Sequence, residues 1–124
     1  MIGFSAEDNS AMLPEMVNKI VKLKLFDSVD GSKRWQGSLL DFPSLSVLAV
    51  SQFTLYAKTD KGTKPDFHNA KPGPEARALF DEMVQLMRDK LNTAGAERVA
   101  TGAFGEYMQV EIVNDGPVTI VLDN

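Results

Sequence analysis

The chain has 124 residues, of which 44% are hydrophobic and 24% charged, with a formal net charge of -4. That suits one domain with a modest core, and the acidic balance argues against blanket nucleic-acid binding. No apolar run approaches the roughly 20 residues of a membrane span, and the absence of cysteine excludes a disulfide scaffold and thiolate chemistry.

The chain opens "MIGFSAEDNSAML", with Ile2 and Phe4 apolar and no polar lead-in. One reading is a short first strand; the other is an element that begins before Met1. Asp8, Asn9 and Ser10 then offer helix caps, and Pro14 fits a first helical turn. Leu13, Met16, Val17, Ile20 and Val21 follow the spacing of one buried helical face. Leu23 to Phe26, "LKLF", alternates as a strand does. "DSVDGSKRW" reads as a polar turn centred on Asp30-Gly31, and Pro43 and Ser44 mark a loop. Leu45 to Ala57, "LSVLAVSQFTLYA", predicts a buried strand. Residues 58 to 75 form a long polar segment.

The clearest helix is "EARALFDEMVQLMRDKLN". Leu79, Phe80, Met83, Val84, Met87 and Leu91 recur at three- and four-residue steps, with Pro74 at its start and Gly95 past its end. The tail predicts two strands, Tyr107 to Val113 and Val118 to Leu122. Without repeats or low-complexity tracts, residues 1 to 124 read as one domain. Its class is mixed α/β, α+β-like, a sheet carrying at least two helices.

The single histidine, His68, and the lack of cysteine make a protein-built zinc site a poor fit. No phosphate-cradling glycine loop is present. A Ser-His-Asp triad could use only His68, for which a surface or structural role is the simpler reading. "SQFTL", Ser51 to Leu55, interrupts an apolar strand with polar residues. Such residues need partners or a cavity if buried, or else mark an ordinary strand end. Alternation would set Ser51, Phe53 and Leu55 on one face and Gln52 and Thr54 on the other. The loop that follows carries Lys58, Lys61, Lys64 and Lys71, partly offset by Asp60 and Asp66. It suits a phosphate-bearing ligand, and equally a solvated loop. Phe104 and Met108, near "GAFGEYMQV", are core residues by default. Gly116-Pro117 in "VNDGPVTI" reads as a turn or an edge irregularity. It also offers backbone carbonyls unobstructed by a side chain at Gly116.

Taken in order, "SQFTL", "KGTKPDFH", "GAFGEYMQV" and "NDGPVTI" resemble the D-aminoacyl-tRNA deacylases, also called D-tyrosyl-tRNA deacylases. The wording of "KGTKPDFH" is similar to the eukaryotic, fungal-like branch, and the likeness runs from Ile2 to the end. It implies a deacylase-family sheet or barrel-like fold with two main helices. It also implies a cytoplasmic homodimeric hydrolase, without metal, cofactor or membrane. Such an enzyme cleaves the ester of D-aminoacyl-tRNA, and of glycyl-tRNA mischarged on tRNA-Ala, as a chiral proofreading step in translation. Ser51, Gln52, Phe53 and Thr54 would carry the catalytic site, at the dimer interface. Ala76, Phe104, Met108, Asn114, Gly116, Pro117 and Thr119 would bind substrate, and Lys58, Lys61 and Lys64 the tRNA.

A cis Gly116-Pro117 would enter the partner's pocket, hold the amino group of a D-substrate and exclude an L side chain. Two mechanisms are consistent with the resemblance. In one, Thr54 is the nucleophile. In the other, the tRNA 2′-hydroxyl assists a water while amides near Phe53 and Thr54 bind the oxyanion. The second asks for no missing base. The family also has two to three strands before the point where this chain opens, one bearing an arginine that helps set the Gly-Pro motif. The expectation is therefore an N-terminally truncated version. A non-catalytic nucleic-acid-binding module and an inactive relative are the competing readings. The intact "SQFTL" and "NDGPVT" strings argue against the module.

Overall fold

A computed structural model of the chain describes residues 1–93 and 95–123. The first helix begins where the sequence supplies its cap. Asn9 Oδ1 accepts the Ala11 amide at 3.0 Å and opens a 3-10 turn, Ser10–Met12. Helix α1, Leu13–Lys22, follows directly, with Pro14 in its first turn, where a missing amide hydrogen costs nothing. Leu13, Val17 and Val21 are buried at four-residue steps.

Strand β1 is Val47–Ala49. Helix α2, Gly73–Leu91, has Pro74 and Glu75 in its first turn and Arg88 and Lys90 in its last, an order that suits the helix dipole. It buries Leu79, Phe80, Met83, Val84, Met87 and Leu91, the six residues that the periodicity marks. Each contributes about 1.5–3 kcal/mol by leaving water. The two helices pack together, and Ser10 Oγ in the turn before α1 donates to Glu82 Oε2 of α2 at 2.7 Å. Strand β2, Val99–Thr101, pairs in parallel with β1 in the register Val47–Val99, Leu48–Ala100 and Ala49–Thr101. The core between helices and sheet also takes in Phe4, Leu39, Ala49 and Val99. The architecture is mixed α/β, two helices and a parallel sheet.

Arg98 enters this core at 6% exposure. Its guanidinium donates to the carbonyls of Leu39, Phe42, Leu45 and Leu91 at 2.7, 2.8, 2.8 and 3.1 Å. One side chain thus ties the loop before β1 to the end of α2. The amide of Val47 in turn donates to the Arg98 carbonyl at 2.8 Å.

Three sequence expectations are corrected. The strand expected over Leu45 to Ala57 is only three residues long, and at Phe53 the backbone turns into a 3-10 turn, Phe53–Tyr56. The amides of Leu55 and Ala57 reach back to the carbonyls of Gln52 and Thr54, so the alternation of faces ends there. "LKLF" makes a single antiparallel bridge, Phe26 to Gly37, rather than a strand. Gly37 is required there, because a β-carbon would collide with the Phe42 ring and the Asp27 carbonyl.

The tail segments Tyr107 to Val113 and Val118 to Leu122 are not strands. Their alternation is that of a strand, but a ladder needs a neighbouring backbone. Among the described residues none pairs with them. The Asp30-Gly31 turn forms as read, with Gly31 at φ 72°. Hydrogen bonds, first from the Ser28 hydroxyl, then from the Ser32 amide and hydroxyl, lower the Asp30 carboxyl to about 2.

Candidate active site

The "SQFTL" segment begins as extended chain and ends as an outward turn. Ile2 lies in parallel beside Ser51, its amide donating to the Val50 carbonyl at 2.8 Å while Gln52 donates to the Ile2 carbonyl at 2.7 Å. The approach is close enough that a β-carbon on Gly3 would sit 2.9 Å from the Gln52 carbonyl oxygen, so glycine is needed. Beyond this bridge Ser51 and Gln52 are half-buried, while Phe53, Thr54 and Leu55 are exposed. The Gln52 side-chain amide donates to Thr54 Oγ1. The four residues expected to carry catalysis therefore sit together on a strand-to-turn junction at the surface.

The lysine loop folds back onto this junction. Lys58 and Asp66 exchange backbone hydrogen bonds at 2.8 and 2.9 Å, closing the segment between them. Lys58, Lys61 and Lys64 project from it into solvent. Phe67, next in the chain, meets Phe53 edge to face, with ring centroids 5.1 Å apart. Asp66 accepts the His68 amide at 2.9 Å and lies 2.7 Å from His68 Nδ1. Those bonds, the amide first, hold the Asp66 carboxyl below the usual carboxylate range. A depressed carboxyl adds stability above its unfolded pKa and loses it as pH falls through the folded value, so the Asp66 carboxylate's contribution is lost in acid. Burial, then the charges of Asp8 and Asp123, pushes the nearby Tyr56 phenol up.

Ala76 lies near the start of α2, and Phe104 packs against the same helix. The Phe104 ring lies 5.6 Å from that of Phe80, with the Arg77 guanidinium 5.7 Å above it. Both Phe104 and Ala76 pack on the core, so part of their role is structural. Met108 folds back toward the β1 side. Its sulfur accepts the Ala103 amide at 3.3 Å. At Gly102 an added β-carbon would lie 3.1 Å from Met108 Cε and 3.5 Å from Val50 Cγ2. Gly102 also donates to the Ala49 carbonyl at 3.0 Å, which sets this segment beside the approach to Ser51.

Asn114, Gly116, Pro117 and Thr119 lie on the tail. All four are exposed, and the Gly116-Pro117 bond is cis. The atoms nearest a β-carbon at Gly116 belong to its own turn, Val118 and Asn114. Within one chain, then, the second motif is exposed along its length, and the first becomes exposed from Phe53 onward. Among the described residues, no group of three or more His, Cys, Asp or Glu converges as a metal site requires, and no helix is long and apolar enough to cross a membrane.

Sequence reasoning missed Phe67 and Arg98. Phe67 had a faint signal, since an Asp two residues before His68 favours a local turn that fixes the residue between them. Arg98 had none, because its partners are carbonyls scattered along the chain.

The family model described as D-Tyr-tRNA(Tyr) deacylase matches residues 1–123. The chain belongs to that family. A D-aminoacyl-tRNA deacylase of Yarrowia lipolytica is 47% identical over 123 residues, 99% of this chain and 78% of that protein. The Homo sapiens D-aminoacyl-tRNA deacylase 1 is 42% identical over 124 residues, 100% of this chain and 56% of that protein. Among solved structures, the c-Myc DNA Unwinding Element Binding Protein superposes with a TM-score of 0.86 at 41% identity, covering 99% of this chain and 78% of that one. Fungal and animal deacylases alike match across the whole length of this chain.

Proposed function

We propose that this deacylase-family chain hydrolyses the ester joining a D-amino acid to the 3′ end of tRNA, releasing free D-amino acid and tRNA. The observation that carries the reading is the "SQFTL" junction, which emerges into solvent from Phe53, in a chain 47% identical to a D-aminoacyl-tRNA deacylase. Residues 1 to 124 act as one deacylase domain, in the cytoplasm where charged tRNA is used. Glycyl-tRNA mischarged on tRNA-Ala is a second substrate. The name of the structural neighbour speaks of DNA binding, but the relatives matched over the whole chain are named deacylases.

Water attacks the ester carbonyl carbon, assisted by the 2′-hydroxyl of the terminal adenosine. The bond to the ribose 3′-oxygen breaks, and that oxygen takes the proton. The amides of Phe53 and Thr54 open the 3-10 turn, where no preceding helical carbonyl claims them, and so can hold the oxyanion. Thr54 is a poor nucleophile here. Its hydroxyl oxygen accepts from the Gln52 amide, which cannot take a proton, and the one imidazole is turned to Asp66.

Chirality is read by Gly116 and Pro117 of a second copy. Backbone carbonyls there would hold the substrate amino group and leave no room for an L side chain, a penalty on the wrong enantiomer. Asn114 and Thr119 of the same segment contact the substrate beside it. Ala76, Phe104 and Met108 wall the pocket, and Lys58, Lys61 and Lys64 approach tRNA phosphates. The reading therefore requires a homodimer with the site at its interface. In a deacylation assay, D-aminoacyl-tRNA is hydrolysed and its L-counterpart survives. Thr54→Ala keeps most of the activity; complete loss with tRNA binding intact would establish Thr54 as the nucleophile instead.

A further inference from the structure

Phe67 lies outside both signature motifs, yet its ring meets the aromatic residue at the centre of the first. Phe53 is 56% exposed, so little of its ring is held by the core. What fixes it is the edge-to-face contact with Phe67, with planes inclined at 72°.

Phe67 is in turn fixed from both sides. Before it, Asp66 is bonded through its backbone to Lys58 in both directions. After it, the Asp66 carboxylate clasps the amide and ring of His68, the Ala70 amide returns to the Phe67 carbonyl at 3.0 Å, and the Lys71 amide reaches Phe4 at 2.9 Å. A half-buried aromatic pinned at this many points and set edge to face with Phe53 is placed to hold the turn.

We propose that Phe67 is a positioning residue of the deacylation site. Held by the Asp66–His68 clasp, it fixes the ring and backbone of Phe53, and through them the direction of the Phe53 and Thr54 amides. The inference rests on the reading of that turn as the oxyanion-binding site. Since those amides engage charge that develops only during reaction, loss of Phe67 lowers kcat rather than raising KM.

The test is a double-mutant cycle on the full chain with D-aminoacyl-tRNA, using Phe53→Leu, Phe67→Leu and the pair, with thermal melting of each. Phe67→Leu is expected to lower kcat on the order of ten-fold and to change KM by less than about two-fold. Phe67→Tyr, which keeps the ring, restores the parent rate. The double variant is no slower than Phe53→Leu alone. Should Phe53→Leu be impaired and Phe67→Leu not, or should the two losses simply multiply, the positioning role is overturned and the site reading stands. If Phe53→Leu or the parent chain shows that the turn plays no part in deacylation, the site reading falls, and the positioning role with it. If Phe67→Leu does not fold, Asp66→Asn weakens the clasp while keeping the ring. A lower kcat at unchanged KM then supports the proposal, and an unchanged kcat overturns it.

Discussion

Arg98 spends its charge on four backbone carbonyls, those of Leu39, Phe42, Leu45 and Leu91. All lie in chain segments without regular structure of their own, or at the last residue of a helix, where carbonyls lack partners. Truncation strips the bonds from the Leu39, Leu45 and Leu91 carbonyls, while that of Phe42 keeps the Leu45 amide at 3.1 Å. Arg98→Met is therefore expected to cost about 3 kcal/mol in urea unfolding. Arg98→Lys recovers only part of that loss, since one ammonium cannot spread over carbonyls that a planar guanidinium reaches from several sides. A variant as stable as the parent would show that the carbonyls find water instead. At the same scale, Gly3 contributes by having no side chain, letting Ile2 lie against the backbone of the first motif.

Helix α2 is the element on which the rest is assembled, meeting α1 on one side and β2 on the other. Leu91, 1% exposed at its last turn, lies where helix, strand and Arg98 come together. Leu91→Ala should destabilise the fold by about 2–5 kcal/mol, read as a lowered midpoint in denaturant with little change in slope. Both helices were legible in the sequence because helical periodicity is local: six apolar positions predict six buried side chains. The Asp30-Gly31 turn was legible for the same reason. The strand β2 was not, since three residues paired to a distant segment leave no periodic trace. The turn at Phe53 was hidden in a run whose alternation fits a strand as well as it fits the turn that forms. The tail shows the converse, a strand-like pattern without a ladder. At the site, the wording of the motifs pointed to Ser51 to Thr54, which the fold brings together on one junction. The contact from Phe67 depends on how a loop returns, which no spacing encodes.

Across the whole molecule, surface is the quantity out of balance. The chain exposes 8955 Å², whereas a compact monomer of 124 residues would expose about 6,600 Å². Much of the difference lies in the tail, where Tyr107, Ile112, Val113 and Val121 are largely or wholly exposed. Extended apolar chain without a ladder favours association. Sedimentation is therefore expected to show a dimer at micromolar concentration. Ile112→Lys together with Val113→Lys should shift it toward monomer and reduce deacylation in proportion; a monomer that deacylates fully would separate the activity from the partner. The parallel pairing of β1 with β2 has a further consequence in time. Translation delivers Val47 to Ala49 and the turn at Phe53 first. The edge that secures them, Val99 to Thr101, follows only after the lysine loop and the whole of α2. On the ribosome the turn at Phe53 is thus made long before β1 gains its partner strand, and a nascent chain halted within α2 carries the motif with only the Ile2 bridge and the lysine loop beside it.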